Sequence, residues 1–385
     1  MTKPKLIRVT TVPSSLKILL KGQHKFMSAY FEVIGVSSDE PHLHEVAAAE
    51  GIRVVPVAMT RTISPLKDLR SVWNLYKLFR KEKPLIVHTH TPKAGIAGML
   101  AAKLAGVKIR LHTVAGLPLM EAKGIKRLIL NSVEKLTYRC ATNVYPNSKG
   151  LYEFICKARF TSEAKLKVIA NGSSNGIDVR HFDPEAVSDQ EKLSLKQSLG
   201  IRATDYVFVF VGRLVGDKGL NELISAFKEV SATNSHLKLL LVGDAESELD
   251  PLQSTTIKEL ETNTNILAVG FQDDVRPYFA ISDALVFPTY REGFPNVVMQ
   301  AGAMALPAIV TNINGCNEII VEGQNGTIIP VKDRRSICKA MHEFLNGDFN
   351  DSSEVCRKMI VDRYEQSVIW RALITEYKTM EQNVS

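Results

Sequence analysis

The chain has 385 residues, 45% of them apolar and 23% charged, with a formal net charge of +7. That length is more than one ordinary core fills and points to two domains of about 150–200 residues each. No apolar run reaches the roughly 18–20 residues of a membrane span, residues 94–107 being short and interrupted by Lys103. The five cysteines (Cys140, Cys156, Cys316, Cys338, Cys356) show neither a CxxC pair nor zinc-type spacing, so scattered reduced thiols are expected.

Taken in chain order, short β-branched runs alternate with longer helical patterns. The N-terminus enters a strand at 6–11 with no signal-peptide hydrophobic region, which sets the expectation of a cytoplasmic protein. Further strands are predicted at 31–36, 53–57, 85–88, 109–113, 143–146 and 167–169, with helices at 66–83, 95–104 and 126–141 between them. A cluster of turn formers at 171–178 reads as a hinge. The pattern then restarts, with strands at 206–211, 237–242, 266–269, 284–287, 308–310 and 326–329 and helices at 220–233, 297–305 and 366–380. Continuous apolar runs such as 207–211 suit strands buried on both faces. The fold class is therefore α/β, with two doubly wound Rossmann-like domains, 1–178 and 179–365, facing a central crevice, and a last segment 366–385. Such sheets bind ligands beyond their strand C-termini, so residues just after strands carry the functional expectations.

After the strand at 206–211 comes Gly212-Arg-Leu-Val-Gly-Asp-Lys-Gly219, leading into a helix. Arg213 and Lys218 put two cations beside a helix N-terminus, a place that favours anions, and a diphosphate suits a forked and a mobile donor together. After the strand at 284–287, Glu292 stands in a glycine-containing turn immediately before a helix, where its carboxylate could accept from sugar hydroxyls. Asn296 could cap that helix. His88 and His90, at i and i+2 on a strand end, point to one face. A third metal ligand is missing, so one is expected in the core and one at the crevice.

These segments together resemble the family-4 retaining glycosyltransferases of the GT-B fold, which include capsule and lipopolysaccharide sugar transferases. The resemblance extends over nearly the whole chain, through 88–95, 109–116 and 171–178 as well. It implies a nucleoside-diphosphate sugar as donor, with UDP expected. Gly212, Arg213 and Lys218 would lie at the diphosphate, and Gly270 and Phe271 near the base. Glu292 would contact the transferred sugar, with Gly293, Phe294, Pro295, Asn296 and Val297 close to sugar and phosphate. The last helix would cross back onto the first domain. His88, His90 and Lys93 fall on the acceptor side. The resemblance further implies no cofactor, no bound metal, and a front-face substitution in which the leaving phosphate helps deprotonate the acceptor. The sequence departs from the family pattern in three places. Gln300 replaces a second glutamate that meets the ribose. Ala115 stands where a catalytic histidine is usual, which makes His112 the catalytic candidate in its stead. Pro13-Ser-Ser15 replaces a glycine pair after the first strand.

Residues 1–178 carry 28 Lys and Arg against 12 Asp and Glu, and the remainder 20 against 29. This basic half is the one expected to meet a glycan or polyprenyl-diphosphate-linked acceptor at an anionic membrane surface, peripherally and on its cytoplasmic face. Lys103, Lys108, Lys123, Lys126, Arg127, Lys135 and Arg139 are the candidate contacts, beside apolar residues 117–120. A UDP-sugar epimerase or hydrolase on the same scaffold is the alternative. A nucleic-acid-binding protein is disfavoured, since no RNA-binding module or basic–aromatic interleaving is present.

Overall fold

The computed structural model describes residues 3–38, 41–60, 64–120, 122–246 and 250–384. Two compact units divide the chain: residues 1–175 with 367–385, and residues 176–366. The chain passes from one to the other inside the 171–178 turn cluster.

In the first unit, strands β1 (Lys5–Val9), β2 (Glu32–Ser37), β3 (Arg53–Pro56), β4 (Ile86–Thr89), β5 (Ile109–Val114) and β6 (Asn143–Pro146) form one sheet. Their order is β3-β2-β1-β4-β5-β6, parallel throughout. The chain winds outward from β1 to β3 and then returns to β4, so the direction reverses between β1 and β4. Right-handed crossovers put the helices of the two windings on opposite faces. The core accordingly forms two clusters. Leu75, Phe79, Ala97 and Tyr138 pack on one face, and Leu16, Met27, Leu373 and Tyr377 on the other. The last helix, Gln366–Val384, thus lies on the first unit. Helix Pro92–Leu104 sits unusually close to the sheet, because a Cβ at Gly95 would come within 2.5 Å of the His112 ring. Ala94, Ala97, Gly98, Ala101 and Ala102 line its buried side together with Met99, while Leu104 at its end is exposed.

The segment 167–169 does not form the strand expected of it. Leu166 alone bridges to Val144, and Ala170, at φ 49°, turns the chain away before a ladder can extend. The sequence pattern also gave no sign of the helix Pro13–Leu19, where proline occupies the first turn and supplies the helical φ directly.

The second unit repeats the winding. Strands β7 (Tyr206–Val211), β8 (Leu237–Val242), β9 (Ile266–Ala268), β10 (Ala284–Phe287), β11 (Ala308–Thr311) and β12 (Gly326–Ile329) pair in parallel as β12-β11-β10-β7-β8-β9. Its reversal lies between β7 and β10. Phe208, Phe210, Leu239 and Leu285 are fully buried, as strands covered on both faces require.

Beneath the first sheet runs a buried polar chain. Arg8 has no exposed surface, and its guanidinium donates to Gln23 Oε1 and, at 3.1 Å, to the Tyr377 hydroxyl. Arginine can only donate, so Tyr377 accepts from it and gives its own proton to His88 Nδ1, 2.5 Å away. That leaves His88 Nε2–H to donate to Thr113 Oγ1 at 2.8 Å. His88 is therefore neutral, and burial beside Arg8 holds its pKa well below the usual range. Burial and the same guanidinium lower His24 to about 3, burial lowers His112 to about 4, and His90 is depressed in the same direction.

These depressed histidines make the first unit acid-sensitive. Above pH 6.5 they are neutral folded or unfolded; as pH falls below that, the unfolded chain takes up protons first and stability is lost. Each such group adds to the loss as pH falls below 6.5, since the folded chain takes up its proton only at lower pH. His181, His236 and His342 of the second unit are exposed. Between pH 7 and 5 the first unit should therefore lose hydrogen-exchange protection before the second. Equal loss in both units would contradict this.

Candidate functional site

The reversal of the second sheet is built by two loops that touch. Past β7 the chain passes Gly212, pairs Leu214 with Ala245, and makes a single 3-10 turn, Gly216–Lys218. Gly219 then opens the helix Leu220–Ser231 at φ 73°, and a Cβ there would lie 2.2 Å from the carbonyl oxygen of Pro288. Only glycine meets both demands. The loop after β10 therefore rests directly on the turn after β7.

That contact brings Lys218 to Glu292. The ammonium donates to Glu292 Oε1 and lies 5.7 Å from the centre of the Phe287 ring, and the two charged side chains are only 16% and 20% exposed. Arg213 instead pairs with Glu246 at 2.6 Å, with both side chains about half exposed. A pair so exposed contributes about 1 kcal/mol at most, and its guanidinium can change partner at little cost. Arg291 does not join the two cations. It donates to Asp217 at 2.6 Å, while the Tyr290 amide donates to the Asp217 carbonyl at 2.9 Å and the Tyr290 hydroxyl to Glu222 at 2.7 Å. Asp217, Arg291 and Tyr290 are thus the latch between the loops. Sequence reading missed this role, because the partners stand 74 residues apart and no spacing rule joins them.

Beyond Glu292, Phe294 and Pro295 are buried, Phe294 with its ring 5.4 Å from that of Tyr364, and this fixes the entry into the helix Asn296–Ala303. Asn296 does not cap that helix: it is the first helical residue, and the N-cap is Pro295, which has no side-chain acceptor. The first-turn amides of Asn296 and Val297 consequently have no side-chain cap, and Gln300 follows one turn along on the same side. Gly293 lies in the turn between Glu292 and the buried pair. Near β9, Gly270 adopts φ 70° and its carbonyl accepts from Gly243 at 2.8 Å. Phe271 is 65% exposed, with its amide held by Asp244 at 2.9 Å. An anion at the Lys218–Glu292 pair would meet a mostly buried cation beside a carboxylate, with Arg213 on the same loop as Lys218 and the uncapped helix Asn296–Ala303 opening four residues after Glu292.

The first unit places its candidates differently. His88 is committed to Tyr377 and Thr113. His90 is also buried, 4.1 Å ring to ring from His88, so neither of the pair is exposed. His90 lines a small cavity of about 20 Å³, room for one water, together with Asn147 and Ser174. His112 is buried under Gly95, with Nδ1 2.7 Å from Thr89 Oγ1. That is a packing position, at odds with the exposure a group that meets substrate requires. Lys93, in the first turn of its helix, holds both carboxylate oxygens of Asp68. Among the described residues, no three His, Cys, Asp or Glu side chains gather as a metal ligand set.

Comparison with known proteins adds an independent line. The family model described as "Glycosyl transferases group 1" matches residues 191–363, and that described as "Glycosyl transferase 4-like domain" matches residues 30–172. A capsular polysaccharide biosynthesis glycosyltransferase of Staphylococcus aureus, CapM, is 33% identical over 98% of both chains. A UDP-Gal:alpha-D-GlcNAc-diphosphoundecaprenol alpha-1,3-galactosyltransferase of Escherichia coli is 32% identical over 80% of this chain and 78% of its own. Among solved structures, a glycosyltransferase from Rickettsia africae superposes with TM-score 0.80 at 18% identity, covering all of both chains. Anabaena HepE in complex with UDP superposes with TM-score 0.79 at 18% identity, over 98% of this chain and all of that one. At such identities the structures support the fold alone.

The loop contact carries a stability prediction. Gly219→Ala combines a left-handed φ with a clash against Pro288 and should cost at least about 2 kcal/mol. Arg213→Ala removes only an exposed pair and should cost under about 1 kcal/mol. Urea unfolding measures both, and equal midpoints for the two variants would remove the claim that the loops meet at Gly219.

Proposed function

The chain belongs to the group 1 glycosyltransferases, and from that membership we propose that it moves a hexosyl or N-acetylhexosaminyl unit from a UDP-sugar to a polyprenyl-diphosphate-linked acceptor. The transfer proceeds with retention, in surface polysaccharide assembly, at the cytoplasmic face of a membrane. The observation that carries this reading is the Lys218–Glu292 pair over the reversal of the second sheet, with Arg213 on the same loop. The named substrates of the Escherichia coli relative support the donor and acceptor classes. So does the name of a 23% identical Campylobacter jejuni relative, an N-acetylgalactosaminyltransferase acting on a diphospho-undecaprenol.

In this reading Lys218 exchanges part of its contact with Glu292 for the donor diphosphate, and Arg213 leaves Glu246 to do the same. As the bond from sugar to phosphate breaks, negative charge grows on the leaving diphosphate. The two cations and the amides of Asn296 and Val297 are already in place to stabilise it, with no metal required. Glu292 accepts from hydroxyls of the transferred sugar and so orients it. Gln300 takes the ribose through its amide oxygen. The leaving phosphate receives the acceptor's proton on the face from which it departs.

Titration with UDP and rate measurement test this together. Lys218→Ala and Arg213→Ala should each weaken UDP binding roughly ten- to over a hundredfold, the loss of a charge-assisted contact. Glu292→Gln should lower kcat while leaving UDP affinity nearly unchanged, and the product should keep the donor's anomeric configuration by NMR. Unchanged UDP affinity in both cation variants, or donor epimerisation without transfer, would contradict the reading.

A further inference from the structure

Helices Pro65–Glu82, Pro92–Leu104 and Gly124–Cys140 lie side by side on one face of the first sheet. Among the described residues sixteen large apolar side chains are exposed, and eight of them stand on these three helices. On the first helix Leu66, Leu69 and Trp73 follow at i, i+3 and i+7, and are 85%, 67% and 58% exposed. Ile125 and Leu128 open the third at 77% and 65%, and Leu104 ends the middle one at 62%. Each helix also buries an inner side, so these side chains form a second apolar stripe on the outer side, where a helix is ordinarily polar. Clustered exposed apolar surface of this kind marks an interaction face.

The charges on the same helices are one-sided. They carry eleven Lys and Arg against three carboxylates. Asp68 is held by Lys93, and Glu82 is buried between Lys5 and Arg53. Glu134 is buried as well, and burial pushes its pKa up to about 7. The outer face therefore offers cations with almost no opposing charge. A second copy of this chain would bring like charge against like, whereas an anionic lipid surface satisfies both the cations and the apolar stripe.

We propose that the outer face of these three helices lies on an anionic bilayer, with Leu69, Trp73, Ile125 and Leu128 in the headgroup region. This rests on the lipid-linked acceptor reading above and names the surface that serves it. It also regroups the expected contacts. Lys103 and Arg139 are in the last turns of their helices, and Lys108 donates to the carbonyl of Val384 at 2.6 Å. Lys123 and Lys126 stand at the opposite end of a helix about 25 Å long. The cations close in sequence are thus not one cluster. Lys77, 6.0 Å over the Trp73 ring, and Lys126, next to Ile125, stand exposed beside the apolar residues although they are far apart in sequence.

Flotation of the full chain with vesicles of phosphatidylcholine, with and without 30 mol% phosphatidylglycerol, tests the proposal. Binding should be at least about tenfold stronger to the anionic vesicles at low salt and should fall in 0.5 M NaCl. The Leu69→Ser, Trp73→Ser, Ile125→Ser, Leu128→Ser variant should lose about tenfold in binding while keeping its UDP affinity and its rate on a short-chain, water-soluble acceptor. Brominated lipid should quench the wild-type tryptophan emission, and Trp73→Phe should abolish most of that quenching; this single substitution at an exposed site serves even if the fourfold variant fails to fold. Wild-type vesicle binding by the fourfold variant, no binding to anionic vesicles, or a dimer that the variant dissociates would each overturn the proposal. UDP binding and soluble-acceptor transfer that persist in those cases would leave the functional reading standing.

Discussion

A lysine and a glutamate that are four-fifths buried can share one place only if the backbone around them is fixed, and the second unit is arranged to fix it. The Lys218–Glu292 pair depends on the loops after β7 and β10 touching. They touch because Gly219 brings no side chain against Pro288, and they stay together through Asp217, Arg291 and Tyr290. Both loops follow strands that adjoin at the reversal of the sheet, where a doubly wound fold leaves its ligand crevice. The ion pair is therefore a consequence of topology as much as of residue choice. An ammonium that is mostly desolvated yet held by a single carboxylate is well suited to change partner when a stronger anion arrives.

The first unit shows the opposite use of charge. Arg8, Tyr377 and His88 form a buried line in which each hydrogen-bonding role is forced by the one before it, beginning from an arginine that can only donate. Through Tyr377 this line fastens the last helix, together with Trp370, whose indole donates to Asn175 at 2.7 Å. Asn175 also accepts from Gln23 and donates to the Lys21 carbonyl. The polar interior here holds structure, and its histidines stay neutral for that reason. In the proposed reading, chemistry and binding fall instead to the rim of the second sheet and to the outer face of the first unit's helices.

Much of this was legible in the residues. The β-branched runs gave eleven of the twelve strands to within a residue or so at each end, because strands buried on both faces must be continuously apolar and glycine or proline ends them. The clusters at 212–219 and 292–296 were visible because glycines and charges gather just past a strand there, and the structure brings the two loops into contact. What could not be read was partnership across long separations. Asp217 with Arg291 and Arg8 with Tyr377 are contacts made by topology, and no local pattern announces them. His88, His90 and His112 looked like site residues because histidine after a strand so often is one. Only packing, under Gly95 for His112 and against Tyr377 for His88, shows what surrounds them. The outer apolar stripes of the first unit were hidden for a related reason. On the helices Pro65–Glu82 and Gly124–Cys140 apolar residues stand on both the buried and the exposed side, and in sequence the exposed ones read as core.

The most direct test of the central claim is a crystal structure of the protein with UDP. The diphosphate should lie within hydrogen-bonding distance of Lys218 Nζ and Arg213, at the first-turn amides of Asn296 and Val297, with the Lys218–Glu292 contact lengthened. UDP bound elsewhere in the second unit, with Lys218 and Glu292 still paired as they are here, would contradict it.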